Sequence, residues 1–186
     1  MEKLSNVVFL DRDGVINRDS PDFVKSRDEF EFIPGSLSAL SRLNENGFDT
    51  IVITNQSAVN RGIISLATLE DMHRMLRTTI RQQGGQIRDI FFCPHRPDEG
   101  CSCRKPKPGM IRQACERYTI DLHTAVMVGD SKKDIECGRN AGCGATVLVR
   151  TGNGLETEKA LNARQIPVDF VADNLQAAID WIVDTR

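Results

Sequence analysis

Short β-rich apolar runs alternate with helical patterns along this chain, and that alternation limits its fold more than any other feature. The runs are Val7–Leu10, Thr50–Thr54, Ile90–Cys93, Ala125–Val128 and Ala145–Val149, with Phe170–Val171 as a sixth candidate. They are apolar almost without a break, as strands covered on both faces must be. Between them, Leu37, Leu40 and Leu43 recur at helical spacing before an Asn46–Gly47 stop. Leu66, Leu69, Met72, Leu76 and Ile80 form a second helix face, with Ser65 placed to cap it and Gly84–Gly85 to end it. Pro108 opens a helix expected to carry Ile111, Ala114, Cys115 and Tyr118. A short helix is expected from about Ser131 to Asn140, and a last one through Leu175, Ala178, Ile179 and Ile182. The expected fold class is α/β, an open parallel sheet with helices on both faces.

The chain has 186 residues and no repeat or long linker, so one domain over residues 1–186 is expected. A net charge of −2 gives no basic field for nucleic acid. The apolar stretch before Asp11 is too short for a signal peptide, and no run approaches the ~18 apolar residues of a membrane span. A cytoplasmic, monomeric protein with neither nucleic-acid nor membrane partner is the expectation.

In such sheets ligands gather outside the carboxyl ends of the strands, and the chemically rich residues fall there. Asp11-Arg12-Asp13-Gly14 follows the first run. Asp11 and Asp13 are spaced i, i+2, so both point to one face. Like charges that close must bind a cation, share a proton or destabilise the fold. An EF-hand loop would need a third acid where Val15 stands and a glycine at the next position, so Gly14 comes too early. Thr54-Asn55-Gln56-Ser57 follows the second run, and Gly129-Asp130 the fourth, with Asp134 four residues on. Arg104-Lys105 lies in the long loop after the third. Each group alone has an ordinary reading as a cap or a solvated face. Together they supply carboxylates, a hydroxyl, an amide and two cations, the needs of Mg²⁺-assisted phosphoryl transfer.

These four groups, in this order, resemble the four motifs of the haloacid dehalogenase (HAD) superfamily of phosphatases. The resemblance implies a HAD-like sheet of order 5-4-1-2-3 with a minimal cap. It implies that Asp11 is the nucleophile that becomes an aspartyl-phosphate, and that Asp13 is the acid and base. Mg²⁺ would be held by Asp11, Asp130 and the Asp13 backbone carbonyl, with Thr54 and Lys105 on the phosphate.

Cys93, His95, Cys101 and Cys103 lie within eleven residues. Three thiolates and an imidazole satisfy tetrahedral zinc, and a closed four-ligand site of this kind is structural. Zinc here would fix the loop that presents Arg104 and Lys105. Cys115, Cys137 and Cys143 are expected to be small buried residues, and His73 and His123 receive no role. This loop, with the Pro108-Gly109-Met110 that follows and Val147–Gly152, resembles a branch of small HAD phosphatases that act on heptose bisphosphates in lipopolysaccharide synthesis. Close relatives act on histidinol phosphate. The resemblance implies a phosphorylated-sugar substrate, with Arg104, the Asp19–Asp22 loop and Asn55, Gln56 and Ser57 at the sugar. Where that branch often has lysine after the fourth-motif Gly-Asp, this chain has Ser131, and Lys132 or Lys133 would have to substitute. Two readings of other classes remain: a phospho-accepting receiver module, and a zinc-ribbon nucleic-acid binder.

Overall fold

The computed structural model describes residues 1–186. In chain order the elements are β1 (Glu2–Lys3), β2 (Val7–Leu10), α1 (Ser36–Glu45), β3 (Asp49–Asn55), α2 (Leu66–Gln82) and β4 (Asp89–Cys93). They continue with α3 (Gly109–Arg117), β5 (Tyr118–Thr119), β6 (Val126–Gly129), α4 (Lys132–Ala141), β7 (Ala145–Val149), α5 (Gly154–Ala163), β8 (Phe170–Ala172) and α6 (Leu175–Thr185). Six strands form one parallel sheet in the order β4-β3-β2-β6-β7-β8. The first strand of the sheet is therefore central. The chain builds outward to β4 on one side, crosses back, and builds outward to β8 on the other. The expected order holds for its five strands, and β8 adds a sixth at the edge.

Strand periodicity divides the core in two. Val8, Leu10, Val52, Val126 and Val128 point to one face, where Leu40 and Leu43 of α1, Leu69, Met72, Leu76 and Ile80 of α2, and Ala178, Ile179 and Ile182 of α6 cover them. Val7, Phe9, Ile51, Ile53 and Met127 point to the other, beneath Met110, Ile111 and Ala114 of α3 and Cys137 of α4. A side chain of this size contributes roughly 1.5–3 kcal/mol when fully buried. Burial on both faces is why the strands carry no polar alternation. Ser65 caps α2 by accepting from the Thr68 amide at 3.0 Å, and Asn174 caps α6 by accepting from Ala177 at 3.0 Å.

Two expectations need correction, and one helix was not expected. Tyr118 is not in the α3 helix, which ends at Arg117; it forms β5, pairing in parallel with β1, and its hydroxyl donates to Asp89 Oδ2 at 3.2 Å. Helix α5 carries no sequence signal, because only Gly154 and Leu161 of it are buried and Leu155 faces solvent, so no apolar stripe marks it. Cys115 and Cys143 are half-buried against the second core, whereas Cys137 is fully buried as expected. No helix is long and apolar enough to cross a membrane.

Candidate active site

The sheet order reverses between β2 and β6, and a cleft of about 270 Å³ opens there at the strands' carboxyl ends. The Asp11 amide donates to the Val128 carbonyl at 3.0 Å, which ties the end of β2 to β6. Directly after it, Gly14 takes a left-handed φ of +81°, and the loop closes with the Gly14 amide donating to Asn17 at 2.7 Å. A side chain at Gly14 would also meet Asp130: a Cβ there would lie 2.2 Å from Asp130 Oδ2. Gly152, with φ +57°, approaches the same oxygen equally closely. Asp130 is thus held between two glycine backbones, and Oδ2 accepts from the Asn153 amide at 2.7 Å and its side chain at 3.2 Å.

Lys105 enters from the loop after β4 and is 3% exposed. Its ammonium lies 2.9 Å from Asp11 Oδ1 and 2.6 Å from Asp134 Oδ1, and donates to the Ile53 carbonyl at 2.8 Å. Burial alone would lower the lysine's pKa, but Asp11 and Asp134 outweigh it and push it up. Asp134 Oδ2 accepts from the Ser131 amide at 3.0 Å and hydroxyl at 2.6 Å, so one carboxylate both caps α4 and anchors the lysine. Asn55 fixes the Lys105 backbone from both sides, donating to its carbonyl at 3.3 Å and accepting from its amide at 3.1 Å.

The two β2 acids sit in opposite electrostatic settings. Burial, then the Asp134 charge, raises the Asp11 pKa well above the usual range despite Lys105. Asp130 is raised to about 6, by burial first and Asp134 second. Asp13 is half-buried, and although desolvation would raise its pKa, that pKa is lowered because Arg12, Asn17 and Gln56 all donate to it. Gln56 also donates to the buried Thr54 hydroxyl at 2.8 Å, joining the second motif to the first.

Carboxylate oxygens of Asp11, Asp130 and Asp134 lie within 4.8 Å of one another. Lys105 and Ser131 already occupy Asp134, and the Asp13 carboxylate is turned to Arg12. That leaves Asp11 and Asp130 as side-chain donors with raised proton affinity, which an oxygen-seeking divalent cation would relieve. The second cluster is also assembled. Cys93 Sγ lies 3.2 Å from Cys103 Sγ, 3.6 Å from Cys101 Sγ and 3.5 Å from His95 Nδ1. Such a set fits tetrahedral zinc, whose S and N ligands sit ~2.0–2.3 Å from the metal. Arg104 donates from Nη1 to the His95 carbonyl at 3.0 Å, so the cluster and the basic loop are directly linked.

Of the residues expected at the sugar, Asp19, Asn55, Gln56, Ser57, Arg104 and Ser131 line the cleft. Asp22 does not: it is exposed to solvent, and Ser20 and Phe23 line the cleft instead. The Asp22 and Phe23 amides donate back to Ser20, and Phe23 takes a φ of +63°; this turn swings Asp22 outward. Lys133 lines the cleft, whereas Lys132 pairs with Glu136 at 3.2 Å, so Lys133 is the cation available where the branch often has one after Gly-Asp. A larger groove of about 880 Å³ between α2 and β4 contains none of the strand-end acids.

The HAD-hydrolase-like family model matches residues 102–178. The D-glycero-β-D-manno-heptose-1,7-bisphosphate 7-phosphatase of Pseudomonas aeruginosa is 50% identical over 152 residues, 82% of this chain and 85% of that protein. The enzyme of the same name from Pseudomonas putida is 50% identical over 167 residues, covering 89% and 95%. The chain belongs to the heptose-1,7-bisphosphate 7-phosphatase family of HAD-like hydrolases. A crystal structure of the D,D-heptose 1,7-bisphosphate phosphatase of B. bronchiseptica, complexed with magnesium and phosphate, superimposes with a TM-score of 0.89 at 41% identity over 100% of both chains. Within this family fold, the Thr151-Gly152 stretch acquires a physical reason. Thr151 donates to the Gly14 carbonyl at 2.6 Å and Gly152 admits the Asp130 carboxylate. Asn153, Phe23 and Arg12 carry no sequence signal for the site; Arg12, a basic residue between two acids, is only 1% exposed.

Proposed function

We propose that this chain is a Mg²⁺-dependent phosphatase that removes the C7 phosphate of D-glycero-β-D-manno-heptose 1,7-bisphosphate. The observation that carries the chemistry is the buried Asp11 carboxylate held 2.9 Å from the Lys105 ammonium at the floor of the cleft. The β anomer follows two β-named relatives at 50% identity; an α-named relative from Photorhabdus laumondii is 38% identical.

In the first step an Asp11 oxygen attacks phosphorus and the bond from phosphorus to the C7 oxygen breaks. Asp13 gives its proton to that oxygen, and heptose 1-phosphate leaves. Asp13 is an anion in the free protein; the incoming phosphate dianion raises its proton affinity by like-charge repulsion, so Asp13 takes up a proton from solvent as substrate binds and holds it for the leaving oxygen. In the second step Asp13 takes a proton from water, the water oxygen attacks phosphorus, the bond from phosphorus to Asp11 breaks, and inorganic phosphate is released as the Asp11 carboxylate is regenerated. Lys105 and Thr54 stabilise charge on the transferred oxygens. Bound Mg²⁺, with Asp11, Asp130 and the Asp13 carbonyl as protein ligands, offsets the charge of phosphate and carboxylates. The Cys93, His95, Cys101 and Cys103 set binds zinc and holds Arg104 toward the sugar, with Asp19, Ser57, Ser131 and Lys133 around it. The reaction takes place in the cytoplasm.

Steady-state assays on both heptose bisphosphate anomers and on histidinol phosphate, with Mg²⁺, test the assignment. The β anomer is expected to give the highest kcat/KM. A higher value for histidinol phosphate overturns it.

A further inference from the structure

Arg12 is the largest fully buried side chain in the protein, at 1% exposure. An isolated guanidinium is costly to bury unless its donors are met. Every side-chain hydrogen bond of Arg12 goes to one of two residues. Nε and Nη2 both donate to Asp13 Oδ1, at 3.2 and 2.8 Å. Nη1 faces His73 Nε2 at 3.3 Å. The guanidinium also lies 5.6 Å from the centre of the Phe30 ring.

The chemistry of this contact fixes the state of His73. A guanidinium has no acceptor, so Nε2 must accept and the ring proton sits on Nδ1. His73 is 7% exposed on the inner face of α2, edge-on to Phe92 with ring centres 5.8 Å apart. Burial and the neighbouring Arg12 charge keep the ring neutral, so it is a fixed acceptor.

The grip on Asp13 is one-sided. Oδ1 takes Arg12 and also Asn17 Nδ2 at 2.8 Å. Oδ2 takes only Gln56 Nε2, at 2.7 Å, and Gln56 lines the cleft. One oxygen is thereby locked to the interior and the other is left toward the substrate. We infer that Arg12 and His73 are positioning residues: His73 fixes the guanidinium, and the guanidinium sets the Asp13 rotamer that presents Oδ2 to the leaving oxygen. This rests on the acid role proposed for Asp13.

Such a role has a signature that general loosening of the fold lacks. An alkoxide leaving group needs a proton, whereas an acidic phenol leaves without one. The test uses the full chain with Mg²⁺ and measures kcat/KM, which covers the first phosphoryl transfer, on heptose 1,7-bisphosphate and on p-nitrophenyl phosphate. His73→Leu removes the acceptor; His73→Gln keeps one; Arg12→Lys keeps the charge but not the fork. His73→Leu is expected to lose at least about tenfold more on the sugar phosphate than on the aryl phosphate, within the ~10²–10⁴-fold that a general acid supplies. His73→Gln should recover most of that difference. Arg12→Lys should show the same selective loss, and decides the question if His73→Leu does not fold. Equal losses on both substrates, or a His73→Gln as selective in its loss as His73→Leu, overturn the inference. A wild-type protein that leaves heptose bisphosphate intact while hydrolysing other alkyl phosphates overturns the substrate assignment instead. The leaving-group comparison is then made on those alkyl esters, with the same outcomes deciding it.

Discussion

Replacing Lys105 with methionine removes the buried ammonium that lies 2.9 Å from Asp11 and 2.6 Å from Asp134. Methionine keeps the length and apolar stem, so packing is largely preserved. The remaining carboxylates are left buried and like-charged. Breaking a buried pair in this way costs about 3–5 kcal/mol. A second route gives the same ceiling: the cluster can neutralise itself by taking up a proton. Protonating a carboxyl whose ordinary pKa is 3.8 costs about 1.4 kcal/mol per pH unit, or about 5 kcal/mol near pH 7.5. Near pH 5 the same uptake costs only about 1.6 kcal/mol. For a chain of this size each kcal/mol is ~2–4 °C in Tm, so Lys105→Met should melt about 6–20 °C lower in metal-free buffer near pH 7.5. The deficit should shrink to less than half near pH 5, and Mg²⁺ near pH 7.5 should restore part of it. The assay is a set of thermal melts with chelator or with Mg²⁺ at the two pH values, read beside phosphate release, which should fall about 10²–10³-fold. A variant that melts within about 2 °C of wild type in chelator, or with equal deficits at both pH values, refutes the charge-cluster reasoning.

Asp11→Asn should abolish turnover yet melt at or above wild type in chelator, because burial and Asp134 disfavour the Asp11 charge more than Lys105 favours it; a melting point several degrees lower would show that sign to be wrong. His73 is pushed down from 6.5 to about 3, by burial first and Arg12 and Arg77 besides, with Asp13 opposing. A depressed histidine contributes stability above pH 6.5 that is lost as pH falls from 6.5 toward 3, because only the unfolded chain binds the proton. Urea titrations at about pH 8 and pH 5.5 should therefore show wild type losing about 1.4 kcal/mol more than His73→Gln between them; parallel losses would place the titration elsewhere. Metal analysis after dialysis should find about one zinc per chain, and Cys101→Ser should lose it and raise KM through Arg104; full activity and stability in a zinc-free protein would remove the clamp.

The sheet and the strand-end acids are legible because both rest on local rules. Strands covered on two faces are continuously apolar, and Asp11, Thr54 and Asp130 stand directly where those runs end. The switch point between β2 and β6 then follows from the strand order that the motifs imply. Asn153 could not be found that way: it meets Asp130 across 23 residues, and only the approach of Gly152 to Gly14 brings it there. The β1–β5 ladder of Glu2–Lys3 with Tyr118–Thr119 is too short for periodicity, and tertiary packing sets it. Asp22 lies outside the cleft because the Ser20–Phe23 turn depends on a left-handed residue that is not glycine, for which the sequence carries no signal. Arg12 was passed over because charge is normally a mark of the surface; its burial becomes visible only with His73, 61 residues away, beside it.

The central claim is that this cleft carries out phosphoryl transfer from C7 and leaves the C1 phosphate in place. Phosphorus NMR of D-glycero-β-D-manno-heptose 1,7-bisphosphate incubated with the protein and Mg²⁺ reads it directly. The C7 monoester signal should give way to inorganic phosphate while the C1 signal persists, and Asp11→Asn should leave both esters intact. Loss of the C1 signal first, or turnover by Asp11→Asn at the wild-type rate, would contradict the account.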